Sequence, residues 1–225
     1  MTRPRMVYRP PRARQRPLLP AERPADGVFV AIEGPIGVGK TTLARLLAES
    51  LEAAAVLEVV EENPFLHHFY QDIRAYAFQT QIFFLLSRYR QQEVIRRARQ
   101  EGQSVVSDYI FVKDSLFARI NLELEELDLY NRLFALIAPR TVQPVLVIYL
   151  TAQLETLRDR IAHRDRLLER AIDPAYLHRV CAEYEGFFDA YDDTALLTVD
   201  TDEADIFTKR DMEEFLRTVD LARQP

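Results

Sequence analysis

Gly34-Pro35-Ile36-Gly37-Val38-Gly39-Lys40-Thr41 follows the pattern G-x-x-x-x-G-K-[ST], the spacing of a loop wrapped around phosphate. Glycines let backbone N–H groups close on an anion without Cβ clashes. Lys40 can reach the β- and γ-phosphates, and the Thr41 hydroxyl can hold Mg²⁺. The pattern alone also fits an ordinary turn, so its flanks decide. Val28-Phe29-Val30-Ala31-Ile32 precedes it as an apolar β-type run, and Leu43, Leu46, Leu47 and Leu51 follow it on one helical face. Strand, loop and helix in that order aim a helix N-terminus at phosphate. A nucleoside triphosphate is therefore expected on Gly34, Pro35, Ile36, Gly37, Val38, Gly39, Lys40, Thr41 and Thr42.

Outward from the loop, strands and helices alternate from residue 27 onward, which argues a parallel α/β sheet. The pattern predicts strands over 28–32, 56–60, 104–107, 145–150 and 196–199. Each is short and apolar, as strands buried on both faces are. Helices are expected over 41–54, 64–70, 75–100, 113–121, 127–138, 152–163, 174–191 and 209–222, with Gly102 and Pro139 as stops. The fold class is thus a five-stranded parallel sheet flanked by helices. Its strand C-termini share one edge, where open α/β sheets bind ligands.

The chain has 225 residues, enough for one domain, and a net charge of −6. Mild acidity implies no global attraction to a nucleic-acid polymer or a membrane, and no apolar run approaches a membrane span. The single cysteine, Cys181, rules out an intramolecular disulfide and a CxxC metal site. A cytoplasmic, reducing setting fits, with Cys181 as a core filler. Residues 1–26 alternate arginine with proline and lack the composition to bury a core, so they are expected to be a disordered tail or to dock late. The tail lacks the apolar region of a secretory signal. Its prolines argue against a transit-peptide helix. Met6 offers an alternative start.

Asp108 ends the strand Val105-Val106-Ser107, a position suited to a carboxylate that helps Thr41 hold Mg²⁺; capping the next helix is the alternative. Glu58, Glu61 and Glu62 cluster after the second strand. A phosphoryl acceptor hydroxyl needs a carboxylate nearby for its proton, and three glutamates would repel an acceptor that already carries phosphate. Arg160, Arg164 and Arg166 lie near a helix end, with Arg160 and Arg164 on one face. They suit either closure over transferring phosphate or a solvated basic helix end. Gln81 and Arg88 lie two turns apart on one helix. A glutamine carries donor and acceptor together, as a nucleobase edge requires. His67 and His68 are adjacent and point to different helix faces, which speaks against a metal site.

Together these residues resemble the deoxynucleoside kinase family, with the best match to bacterial deoxyadenosine/deoxyguanosine kinases. The carrying motifs are Glu62-Asn63-Pro64-Phe65-Leu66-His67-His68-Phe69-Tyr70, Ala77-Phe78 leading to Gln81, Phe84-Leu85 leading to Arg88, Ser107-Asp108-Tyr109-Ile110-Phe111 and the Arg164-Asp165-Arg166 lid. The resemblance implies a P-loop NTPase fold with an Arg-rich lid, covering a kinase domain over 27–225. It implies transfer of the γ-phosphoryl group of ATP, with Mg²⁺, to the 5′-hydroxyl of a deoxynucleoside in nucleotide salvage. It leans to purines and to a homodimer or a heterodimer with a close paralogue. By the same resemblance Glu58 is the general base, Tyr70 and Glu169 hold the sugar 3′-hydroxyl, and Gln81 binds the base. Arg88 and Asp114 are further base-edge contacts, and Arg160, Arg164 and Arg166 are lid arginines.

Two positions depart from the family pattern. Val59 stands where many members have proline after the catalytic glutamate, which leaves Glu61 and Glu62 as competing bases. Tyr109 stands where the family has an arginine, and Lys113, four residues on, is the candidate to supply that charge. Two other classes fit the phosphate loop: a nucleoside monophosphate kinase of the thymidylate kinase type, and a non-catalytic nucleotide-binding subunit.

Overall fold

The computed structural model describes residues 6–11, 27–164, 172–203 and 215–217. Its elements are β1 (Met6–Arg9), β2 (Phe29–Glu33), α1 (Lys40–Ser50), β3 (Ala54–Val56), α2 (Leu66–Phe69), α3 (Ile73–Gln100), β4 (Val105–Ser107), α4 (Lys113–Asn121), α5 (Leu124–Ile137), β5 (Leu146–Thr151), α6 (Leu154–Arg164), α7 (Pro174–Ala190) and β6 (Ala195–Asp200). A 3₁₀ turn at Ala138–Arg140 closes α5.

The strands form one sheet in the order β1-β6-β5-β2-β4-β3. The five expected strands are parallel, and β1 adds a sixth, antiparallel to β6. The all-parallel, five-stranded expectation is thus corrected to a six-stranded mixed sheet. The open side of β6 explains it, because unpaired N–H and C=O groups on a sheet edge accept another strand. Met6–Arg9 pairs with 196–199, and Arg9 donates to the carbonyls of Phe188 and Asp189 at the end of α7. Pro10 and Pro11 stop the pairing. These four residues lie within the tail that composition marked as disordered.

Period-two alternation sorts the core into two layers. Phe29, Ala31, Val147 and Tyr149 face α3, α4 and α7, while Val30, Ile32, Leu146 and Ile148 face the Leu43 and Leu47 side of α1. Glu33 continues the first set, so a carboxylate follows Phe29 and Ala31 into the α4–α7 layer.

Two boundaries differ from the sequence reading for local reasons. Helix α1 ends at Ser50, four residues early, because Glu52 turns left-handed (φ 50) and Ala53 N–H bonds back to Ala48 O at 2.8 Å. This is a helix stop that glycine normally marks, so no composition signal announced it. Strand β3 ends at Val56, before the expected 56–60, because Asp108 takes the Glu58 N–H and Gln91 donates to the Leu57 carbonyl. The segment leaves the sheet to meet side chains instead. The expected helix 209–222 lies largely outside the described residues.

Candidate active site

The phosphate loop leaves the C-terminal end of β2 at the centre of the sheet. Gly39 sits at φ 104 and begins α1 with no side-chain cap and no acidic residue in the first turn. The first N–H groups of the helix are therefore unclaimed by side chains and point at the loop, a ready anion site. A Cβ on Gly34 would lie 2.4 Å from the Leu150 carbonyl oxygen, so only glycine lets the loop pack on β5. Lys40 Nζ donates to the carbonyls of Gly34 (2.7 Å) and Pro35 (2.9 Å). Burial, and then the charge of Lys113, push its pKa down to about 8. Its ammonium thus holds the loop in the curvature a phosphate would replace.

Thr41 and Asp108 meet across the sheet edge, with the Thr41 hydroxyl donating to Asp108 Oδ2 at 2.6 Å. Asp108 Oδ1 accepts the Glu58 N–H at 2.7 Å. A hydroxyl and a carboxylate beside a phosphate site are the hard oxygen donors Mg²⁺ takes, usually one or two from protein with the rest from phosphate and water. The residues present fit that ion.

Beside the loop lies a cavity lined by Lys40, Thr41, Glu58, Tyr70, Thr80, Gln81, Phe84, Arg88, Asp108, Lys113, Phe117, Arg164 and Tyr176, among others. Most of the predicted acceptor-site residues therefore share one wall. Glu61 and Glu62 are exposed and outside it. Repulsion by three glutamates thus gives way to a single carboxylate with two cations. Arg88 grips Glu58 Oε1 through Nε (2.9 Å) and Nη2, and Lys113 Nζ donates to Glu58 Oε2 at 3.0 Å. Burial raises the Glu58 pKa, but Arg88 and then Lys113 more than reverse that, and the carboxyl lies far below its usual range.

Arg88 also reaches Asp114 Oδ1 (2.6 Å) and lies over the Phe84 ring at 4.8 Å. Asp114 is fully buried behind Arg88 rather than on the cavity wall. One guanidinium shared between two carboxylates cannot neutralise both. Burial therefore outweighs Arg88 at Asp114 and lifts its pKa to about 6. Tyr109 is also fully buried, its ring 5.9 Å from the Arg88 guanidinium. The Lys113 ammonium stands on Glu58, four residues along from that tyrosine.

Asn63 explains the shape of its motif. Its amide donates to Thr80 O (3.2 Å) and its oxygen accepts from Phe65 N (3.0 Å). That pins α2, and with it Tyr70, against the Gln81 turn of α3. Arg160 donates to the Thr201 hydroxyl (2.8 Å) and carbonyl (3.0 Å). With Arg164, Gly37, Val38, Gly39 and Thr42 it lines a second recess on the other side of the loop. Arg166 and Glu169 lie outside the described residues. His68 stacks on Tyr76 at 5.1 Å, and Cys181 is half-buried on α7.

A family model described as deoxynucleoside kinase matches residues 30–222. The chain belongs to the deoxynucleoside kinase family. It is 37% identical over 191 residues to a deoxyguanosine kinase of Bacillus subtilis, covering 82% of this chain and 92% of that one. It is 30% identical over 186 residues to a deoxyadenosine/deoxycytidine kinase of the same organism, covering 79% and 84%. Among solved structures it superposes on a deoxyadenosine kinase from M. mycoides with products dCMP and dCDP bound, at TM-score 0.76 and 25% identity, covering 86% of this chain and 99% of that one.

The protein is therefore an ATP-dependent phosphotransferase that acts on deoxynucleosides, which decides against a monophosphate kinase. Among the described residues no helix is long and apolar enough to cross a membrane. Sequence reasoning passed over one residue of this deoxynucleoside kinase's interior. Glu33, fully buried, accepts hydrogen bonds from Gly34 N, Ile110 N and Tyr184 Oη, each at 3.0 Å. A charge ending an otherwise apolar strand was the available signal.

Proposed function

We propose that this kinase phosphorylates the 5′-hydroxyl of purine deoxynucleosides in nucleotide salvage, with Glu58 receiving the hydroxyl. The observation that carries the reading is the placement of Glu58. It lines the cavity beside the phosphate loop, and its own N–H is tied to Asp108. Lys40 and the loop N–H groups hold the β- and γ-phosphates of ATP, and the helix N-terminus favours their charge. Thr41 and Asp108 hold Mg²⁺, which when bound offsets charge on the phosphates. Glu58 accepts a hydrogen bond from the 5′-hydroxyl and aims a lone pair at phosphorus. A carboxyl held this low is a weak base, so it takes the proton late. That suits a loose transition state, where positioning and electrostatics supply most of the rate. Arg164, with Arg160 and Arg166, closes over the developing charge.

The nucleoside would lie between Phe84, Phe117, Tyr70 and Tyr176, an apolar and aromatic setting for a base. Gln81 presents its amide to the base edge, with Arg88 held in place behind by Asp114. Tyr70 and Glu169 take the 3′-hydroxyl. The purine preference is supported by relatives named for deoxyguanosine and deoxyadenosine. Product mass from a panel of natural deoxynucleosides with Mg-ATP tests it. The highest kcat/KM is expected for deoxyadenosine or deoxyguanosine, and a clear preference for thymidine or deoxycytidine would refute the assignment.

The partner is a second copy of the chain, in the cytoplasm. Leu129, Leu133 and Leu136 form an exposed apolar stripe along α5, and α3, which packs against α5, also exposes Leu86 and Val94. A run of this kind favours association. Light scattering is expected to give a dimer for the native chain and a monomer for Leu133→Asp/Leu136→Asp. A native monomer would remove the proposal.

A further inference from the structure

We infer that Glu33 is a positioning residue for phosphoryl transfer, a sealed carboxylate that holds the Lys113 ammonium in place beside Glu58. The inference rests on the reading of Glu58 and Lys113 given above and adds a third member to it.

Lys113 is 4% exposed and stands between two glutamates, 3.0 Å from Glu58 Oε2 and 3.9 Å from Glu33 Oε1. The two carboxylates differ in what surrounds them. Glu58 opens on the cavity and is the one placed to meet substrate. Glu33 is sealed. Its three donors come from three places, the start of the phosphate loop, the turn after β4 and the middle of α7. Three donors on one carboxylate fix its direction.

During transfer, the 5′ oxygen bonds to the γ-phosphorus, the bond from that phosphorus to the β–γ bridging oxygen breaks, and ADP leaves with the electron pair. The hydroxyl proton passes to Glu58. Developing negative charge at this end of the cavity needs the Lys113 cation held in place. Arg88 repels it from the α3 side and Lys40 from the α1 side. Asp114, next along α4, is committed to Arg88. Among the described residues Glu33 is the second carboxylate within 4 Å of the Lys113 ammonium. It lies off the cavity wall and so acts through Lys113 rather than on substrate.

Steady-state kinetics of the full chain test this in a double-mutant cycle. Lys113→Met is expected to lower kcat on the order of 10²-fold, the scale of losing one preorganised charge in a site. Glu33→Gln is expected to lower kcat about tenfold with the KM for ATP unchanged, and to cost nothing further in the Lys113→Met background. A purely structural Glu33 would instead loosen Gly34, raise the KM for ATP and add its loss to that of Lys113→Met. Should Glu33→Gln not fold, Tyr184→Phe removes one of the two donors, Tyr184 Oη and Gly34 N, on the Oε1 oxygen that faces Lys113. It is expected to lower kcat roughly threefold in the native background and not at all with Lys113→Met. Additive losses, or none, would sink the role of Glu33 alone. Native turnover in Lys113→Met would sink the reading of Lys113 with it.

Discussion

Glu58→Gln is expected to lower kcat by roughly 10² to 10⁴, the range for losing a positioned proton acceptor, while the deoxynucleoside KM changes far less. Gln keeps the shape and an acceptor oxygen for Arg88 but cannot receive the hydroxyl proton. An interaction that matters most in the transition state shows in kcat rather than KM. The same change at Glu61 is the control, since Glu61 is exposed and outside the cavity wall. Thermal unfolding separates chemistry from folding, because Gln also removes the charge that Arg88 and Lys113 share. Measured at matched folded fraction, near-native turnover in Glu58→Gln together with a loss in Glu61→Gln would reverse the assignment of the acceptor carboxylate.

The central sheet was legible because each parallel strand is a short apolar run, and the phosphate loop fixed which strand sits in the middle. What escaped depends on partners that no local pattern records. Strand β1 exists because β6 offers an open edge, and the proline- and arginine-rich composition around Met6 gives no hint of that. The end of α1 rests on a left-handed Glu52, where the usual glycine is missing. In the site, Glu58, Gln81, Arg88 and Asp108, which motif spacing singled out, line one cavity. Spacing could not say that Arg88 divides itself between Glu58 and Asp114, residues 30 and 26 positions away, or that Asp114 stands behind it. Glu33 ends the apolar strand just before the loop and was passed over. Counted by twos from Phe29 and Ala31 it falls on the α4–α7 face, and a charge there required partners.

Arg88→Met is expected to destabilise the folded state by about 3 to 5 kcal/mol at pH 8, the scale of breaking a buried ion pair from one side. The guanidinium is 3% exposed and contacts both Glu58 and Asp114. Methionine fills the stem and leaves the Asp114 carboxyl buried without its cation. For a chain of this size the loss corresponds to a Tm lower by roughly 6 to 20 °C. Lysine should not restore it, because one compact ammonium cannot reproduce a planar fork that serves two carboxylates. The dependence on pH carries the sign. Asp114 has its pKa raised from 3.8 to about 6 in the folded state. The folded form therefore binds that proton more tightly than the unfolded form, and stability falls as the pH rises from about 3.8 to about 6, with the full cost present above 6. At pH 5 the carboxyl is largely neutral and needs Arg88 little; at pH 8 it is charged and needs it most. Glu58 is held low, so it stays ionised at both and contributes a constant part. The deficit of Arg88→Met relative to the native chain should thus widen between pH 5 and pH 8. Adding Asp114→Asn should narrow it at pH 8 alone. Chemical denaturation at the two pH values measures both. A deficit under about 1 kcal/mol at pH 8, or one that shrinks as pH rises, would mean that Arg88 does not hold these carboxylates together.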